Sequence, residues 1–412
     1  MHTRLVPPVQ AWRQWLIGVA FVVLVFGFQT GYAVTNGRLA ASLGLSAAEI
    51  GLVGSVYTWC FALSQLVSGS LLDRVGARRI LPLACACLCI GSLCFATASS
   101  LSMLLAAQVL VALGAAFGFV GAGFIGGVWF GSARFGVMFA WVQFVASVSA
   151  FCAQQVFSWA LGYLAWPTVI AVVGALSAGL LLCMLWQLRD PDGWDATHGW
   201  PRDPLAFGAH VLEDVLTVAR TPGMAANLLI GALSFGAMLA LGVVWGPQLI
   251  MAQGVSEVWA HRAVSLAWLG LAFGAPGFAW LSDRWRTRRA PLFVSLLVQA
   301  LAMLLMLWAG LTAAWSYCAL MLLLGLAAGG SMLPFTIGAE LAGSRLAGTA
   351  AALVNGSQFL AAGVMMALPG RLWMTLGSGQ LALSILPLLL LASLPLFMWL
   401  KENFSGRSGT AV

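Results

Sequence analysis

Apolar runs of about 20 residues or more follow one another along this chain, separated by short polar breaks. A run of that length crosses a bilayer as one helix. It is too long for a barrel strand, in which polar and apolar residues alternate over roughly ten positions. In lipid the backbone must satisfy its own hydrogen bonds, which confines runs of this kind to helices. Composition enters as a check: 8% of the 412 residues are charged, whereas a soluble domain carries about 25%. Twelve runs stand out, at 14–36, 47–71, 79–98, 101–126, 137–162, 166–188, 225–250, 259–281, 291–311, 314–337, 346–369 and 379–400. The first exceeds the apolar core of a cleaved signal and reads as a span.

A net charge of +7 raises the question of a nucleic-acid surface, and the placement of the charges answers it. With a cytoplasmic N terminus and twelve spans, 16 of the 19 basic residues fall on the cytoplasmic side, and only Arg38, Arg262 and Arg371 lie outside. This asymmetry is the positive-inside rule, so the charge reports topology. The expected location is a bacterial cytoplasmic membrane, multi-pass, with both termini cytoplasmic. The expected partners are the lipid bilayer, a small-molecule substrate and a co-transported proton or other ion. No nucleic-acid partner is expected, and the expected state is monomeric.

From Arg189 to Thr221 the chain changes character, with Asp190, Asp192, Asp195, Asp203, Glu213 and Asp214 in one stretch. It divides the sequence into an N-terminal half (1–188), a cytoplasmic linker (189–223) and a C-terminal half (224–412), with a short helix expected near Pro204–Arg220. A linker of this length is too short for a catalytic domain, and the spans hold no cluster of His, Asp, Glu or Cys at depth. No enzyme activity, cofactor or metal is therefore expected. The eight Cys residues all fall in apolar runs. Within the trio Cys85, Cys87 and Cys89 only the first and last share a helix face, and they read as packing residues.

Two Arg-rich segments punctuate the halves. The first is Gly69-Ser70-Leu71-Leu72-Asp73-Arg74-Val75-Gly76-Ala77-Arg78-Arg79. The second is Trp280-Leu281-Ser282-Asp283-Arg284-Trp285-Arg286-Thr287-Arg288-Arg289. Asp73 and Asp283 are 210 residues apart, and each segment follows the second run of its half. Such an internal duplication points to a transporter built from two repeats. The first segment resembles the signature Gly-x-Leu-x-Asp-Arg-x-Gly-Arg-Arg of the major facilitator superfamily, with Ala77 in one Arg position. The second is a weaker copy, with Ala279 where Gly is expected and no Gly after Arg284. Stretches such as Gly44-Leu45-Ser46-Ala47-Ala48-Glu49-Ile50-Gly51 and Gly348-Thr349-Ala350-Ala351-Ala352-Leu353-Val354-Asn355 are similar to bacterial organic-anion and metabolite symporters of that superfamily. The resemblance implies an all-α integral membrane protein of twelve transmembrane helices, in two six-helix halves related by pseudo-twofold symmetry. It also implies that Gly69, Asp73, Arg74, Arg78, Asp283 and Arg284 form a cytoplasmic gate or latch. The chain departs from the pattern where Gln29 and Gln108 replace Arg residues that many relatives carry.

All twelve acidic residues fall in loops or at span ends, and no basic residue sits at mid-span. A binding site within the spans is therefore lined by neutral groups. Polar groups at depth are costly and tend to face a cavity or a partner. Gln29, Tyr32 and Asn36 share a face of the first run. Gln143, Ser147 and Gln154 share one of the fifth, Ser234, Met238, Trp245 and Gln248 one of the seventh, and Asn355 and Gln358 one of the eleventh. The resemblance places these four spans around a central cavity. Glu257 and His261, near the outer ends of the seventh and eighth spans, form the one titratable pair there and are candidates for proton coupling. The expected function is a secondary or facilitative transporter of a small polar organic metabolite working by alternating access. The alternatives are an exporter of a siderophore-like or drug-like compound and a transporter-like receptor.

Overall fold

A computed structural model describes residues 8–45, 47–131, 134–191 and 203–402. Among them the regular structure is helical throughout. The long apolar runs become α1 (Pro8–Leu43), α2 (Ala47–Val75), α3 (Ala77–Ala96), α4 (Leu101–Ala115), α5 (Gly118–Phe130), α6 (Phe135–Leu161) and α7 (Trp166–Gln187). The linker holds α8 (Pro204–Ala219), at the place expected from its sequence. There follow α9 (Met224–Ala240), α10 (Gly246–Ala252), α11 (Glu257–Trp285), α12 (Arg289–Trp308), α13 (Ala314–Ala328), α14 (Leu333–Ala342), α15 (Ala347–Leu376), α16 (Gly379–Leu383) and α17 (Ile385–Ala392).

Several pairs of short helices make single spans. α4 and α5 form one of 30 residues, Leu101–Phe130, bent where the Phe117 amide turns back to the carbonyl of Gly114. α9 and α10 are joined by a π-helical turn, Leu241–Trp245, and α13 and α14 by a 3-10 turn, Gly329–Met332. Eleven segments among the described residues are long and apolar enough to cross a membrane. The remaining long helix, α2, has 29 residues, or about 43 Å at 1.5 Å per residue, more than the hydrocarbon thickness. Its polar residues, among them Thr58, Ser64, Gln65, Ser68 and Ser70, lower its hydropathy, and Gln65, Ser68 and Ser70 are fully buried.

The chain packs as two units. Unit 1 is Met1–Leu216 with Ser344–Ala352, and unit 2 is Thr217–Gly343 with Leu353–Val412. In unit 1, glycines bring backbones close. A Cβ on Gly114 would strike the carbonyl of Ala84, and one on Gly123 would strike the ring of Phe139. In unit 2 the same device is denser. Gly270 and Gly274 of α11 lie against the backbone of α13, and Gly325 of α13 lies against Ala267. Small residues four apart allow this approach where lipid gives no hydrophobic drive. Cys85 and Cys89 are buried, and the Cys85 thiol lies 3.3 Å from the Ser177 carbonyl.

The charge distribution gives a direct test of topology. Reporters active only in the cytoplasm, fused after Arg79, within the 189–221 segment and after Val412, are expected to give signal at all three places. Silence from the central fusion would break the arrangement of six spans on either side of the linker.

Candidate functional site

In unit 1 a set of neutral polar side chains lies within the apolar helices. Tyr32 is buried, and its ring stacks on Phe28 with centroids 5.6 Å apart. Its hydroxyl reaches α2, 3.1 Å from where a Cβ on Gly54 would stand. On α2, one turn on, Tyr57 is fully buried and stacks on Phe61. On α4, Gln108 is fully buried. The Tyr57 hydroxyl, both polar atoms of Gln108, Gln29 Oε1 and Asn36 Oδ1 are buried without a hydrogen-bond partner. Groups of this kind are nearly always paired in folded proteins, so each exception calls for an explanation. Gln143 differs: its amide donates to Ser147 Oγ at 2.9 Å, along one face of α6. Gln154 lies on the same helix, and its side chain is outside the described ones.

Unit 2 satisfies more of its polar groups. Gln358 donates to the carbonyl of Ser331 at 2.9 Å, and Trp245 Nε1, at the end of the π-helical turn, to that of Met366 at 2.9 Å. Asn355 is buried with its Nδ2 unpaired. Gln248 is exposed. Two residues not singled out from sequence join this interior. Gln299 donates to Ser234 Oγ at 2.8 Å and to Ser295 Oγ at 3.1 Å, and Asn227 donates to the Pro334 carbonyl at 2.9 Å. A separate small pocket, lined by residues such as Leu241, Met303 and Leu386, is wholly apolar and suits no polar solute. His261 is exposed, and the side chain of Glu257 is outside the described ones.

The first Arg-rich segment is a junction. Asp73 accepts from the amides of Gly348 at 3.0 Å and Thr349 at 2.8 Å, and from Thr349 Oγ1 at 3.0 Å. These amides belong to the first turn of α15, where N–H groups have no helical partner and the helix dipole favours an anion. Gly69 makes the approach feasible, because a Cβ there would strike the Gly348 carbonyl. Arg74 turns the other way. Its Nε and Nη2 lie 2.8 and 2.7 Å from Asp214 Oδ2 on α8, with both side chains more than nine-tenths buried, and Ser70 Oγ donates to the same oxygen at 2.9 Å. Arg78 is exposed and contributes its backbone amide to Asp190 at 3.2 Å. Burial pushes the Asp190 carboxyl above the usual carboxylate range, and the amides and charges of the α3 terminus pull it back.

The second segment keeps a positive φ at the matching position, with a different ψ, and rearranges the charges. Gly76 has φ 88°, which glycine adopts freely, and Arg286, 210 positions later, has φ 54° without being glycine. Asp283 is half exposed and pairs with Arg288, while Arg284 is exposed. Arg288, which the sequence did not single out, holds Ser282 Oγ at 3.0 Å and Glu340 Oε1 at 3.2 Å. Glu402 accepts from the amides of Arg288 at 2.6 Å and Arg289 at 3.0 Å, and so caps α12. Asp190 stands in the matching place at the start of α3.

Long apolar helices with neutral polar side chains inside and charged ones at their ends define an integral membrane protein. The chain matches the Major Facilitator Superfamily over residues 16–366 and belongs to it. It is 27% identical over 182 residues to the probable galactarate/D-glucarate transporter GudP of Bacillus subtilis, covering 42% of this chain and 40% of that one. It is 29% identical over 70 residues to the protein of the same description from Escherichia coli, covering 16% of each. The alignments thus span less than half the length of these relatives. Among solved structures, the E. coli fucose:proton symporter FucP shares the fold with TM-score 0.71 at 14% identity, over 95% of this chain and 100% of that one. The proton:xylose symporter XylE does so with TM-score 0.73 at 13% identity, over 96% of both.

Proposed function

We propose that this protein is a secondary transporter that carries a small polar organic metabolite across a bacterial cytoplasmic membrane by alternating access. The observation that carries the reading is the set of unpaired neutral polar atoms inside the apolar helices of unit 1, on Gln29, Asn36, Tyr57 and Gln108. A solute that pairs with them supplies the partners they lack. The names of the relatives add a substrate type, since the sugars and sugar acids they refer to are all rich in hydroxyl groups. The halves 1–188 and 224–412 act as the two moving parts, joined by 189–223, with both termini in the cytoplasm. The substrate crosses unaltered, and the protein works as a monomer. A co-transported proton is taken up near Glu257 and His261, the latter exposed.

Uptake into proteoliposomes tests the reading. Ala replacements at Gln29, Asn36, Gln143, Gln154 and Asn355 are each expected to weaken apparent affinity by about 0.5–1.5 kcal/mol, with larger losses where a buried partner is left unpaired. Gln29→Arg is expected to shift preference towards anionic solutes. Wild-type affinity at Gln29, Gln143 and Asn355 alike would make these amides packing groups and put the site elsewhere.

A further inference from the structure

The unpaired groups of unit 1 meet at one level of the bundle. α2 and α4 are separated in sequence by α3, which runs back between them, so they run the same way. Gln65 Nε2 donates to the Ala116 carbonyl at 2.9 Å and fixes their register. Tyr57 stands as far before Gln65 as Gln108 stands before Ala116, which puts the two at one depth on neighbouring helices. Tyr57 is 2% and Gln108 0% exposed. From α1, the Tyr32 hydroxyl comes within reach of Gln108 and stands 3.1 Å from where a Cβ on Gly54 would lie, one turn of α2 before Tyr57. Gln29, one turn along α1 from Tyr32, adds an unpaired acceptor.

The chemistry of this group is specific. It holds a phenol, which donates and accepts, and an amide with two donor hydrogens and an acceptor oxygen. None of its members is charged. A hydroxyl also donates and accepts, so a solute with neighbouring hydroxyls can pair with every member. A carboxylate only accepts, and would bring a charge among groups of which none is a cation. Resting on the transport reading above, we propose that Tyr57 and Gln108, flanked by Tyr32 and Gln29, form the recognition site for an uncharged, hydroxyl-rich solute of the aldose or alditol class. The same pair disfavours the sugar-acid dianions for which the GudP relatives are named.

The test uses the full-length protein, with D-xylose, L-fucose, galactitol and D-glucarate as probes. Binding is measured by calorimetry, and exchange by counterflow in proteoliposomes. At least one neutral probe is expected to bind about tenfold or more tighter than D-glucarate, a gap of about 1.4 kcal/mol. Tyr57→Phe and Gln108→Leu are each expected to weaken that neutral probe about tenfold at an unchanged melting temperature, and Gln108→Asn to recover part of the loss. Tyr57→Phe removes one oxygen atom and keeps the ring, so it stays informative if Gln108→Leu does not fold. Exchange of D-glucarate in preference to the neutral probes would overturn the proposal and leave the transport reading standing. Wild-type neutral binding in both variants would do the same. Failure of all four probes to bind or exchange would overturn this assignment of substrate class, and counterflow with other labelled metabolites would then decide whether the transport reading survives.

Discussion

Asp73→Asn is expected to leave the amount of protein in the membrane near wild type and to lower transport about tenfold or more. The carboxylate accepts three hydrogen bonds, two from amides in the first turn of α15 and one from Thr349 Oγ1. Asn keeps one acceptor oxygen and places an NH2 group where the second stood, facing a donor. The lost charge at a partly buried helix N terminus is worth up to about 2 kcal/mol, and hydrogen bonds to charged groups about 1.5–3 kcal/mol. A loss of that size moves a two-state equilibrium by tenfold or more. Because Asp73 lies at the end of α2, away from the interior polar set, substrate affinity should change less than turnover. Uptake kinetics separate the two. Undiminished turnover in the mutant would reduce the segment to a topology signal, and a loss confined to affinity would assign Asp73 to the solute.

Gly325→Val should have the largest effect on the amount of folded protein. A Cβ at Gly325 would land on the carbonyl of Ala267, and the other close atoms, Ala267 C at 2.7 Å and Cα at 2.9 Å, are also backbone. A rotamer change cannot relieve that clash, so α11 and α13 must part. Overpacking a tight core costs typically about 1–3 kcal/mol. Here separation would also loosen the contacts at Gly270, Gly274 and Gly329, each of which meets backbone across the same seam. The expected readout is loss of the monodisperse peak on size-exclusion chromatography in mild detergent, or a large fall in melting temperature. Gly277→Ala on α11 is the control, because nothing lies within 4 Å of its added carbon. Equal behaviour of the two variants would show that the seam tolerates expansion.

Much of this fold was legible because lipid imposes one rule on every residue. The length of each apolar run and the placement of Arg74, Arg78 and Arg284 are properties of the local sequence, and α8 appeared where the linker becomes amphipathic. Helical spacing put Gln143 and Ser147 on one face, where they are hydrogen-bonded. What sequence could not supply is the identity of distant partners. Gln29 and Gln358 look alike in their runs, yet one has an unpaired oxygen and the other donates to Ser331. Arg74 resembles Arg284, but only Arg74 meets a buried carboxylate, from a helix 140 residues away. The offset of 210 residues does carry a further signal. It maps Gly76 onto Arg286, and both adopt a positive φ. The two segments thus share a break at the matching position, with ψ 158° at Gly76 and 39° at Arg286. The bend at Gly114–Phe117 and the π-helical turn Leu241–Trp245 leave no mark in the periodicity of the apolar residues.

α15 begins in unit 1, where Asp73 holds its first turn, and continues through unit 2 from Leu353 onward. At 30 residues it is a rod of about 45 Å. Hydrogen bonds fail when donor and acceptor separate by about 1 Å beyond their normal distance. At the end of such a lever, 1 Å corresponds to a tilt of only about one degree. Held by three bonds from Asp73 within unit 1, the first turn of α15 is therefore fixed in direction to about a degree.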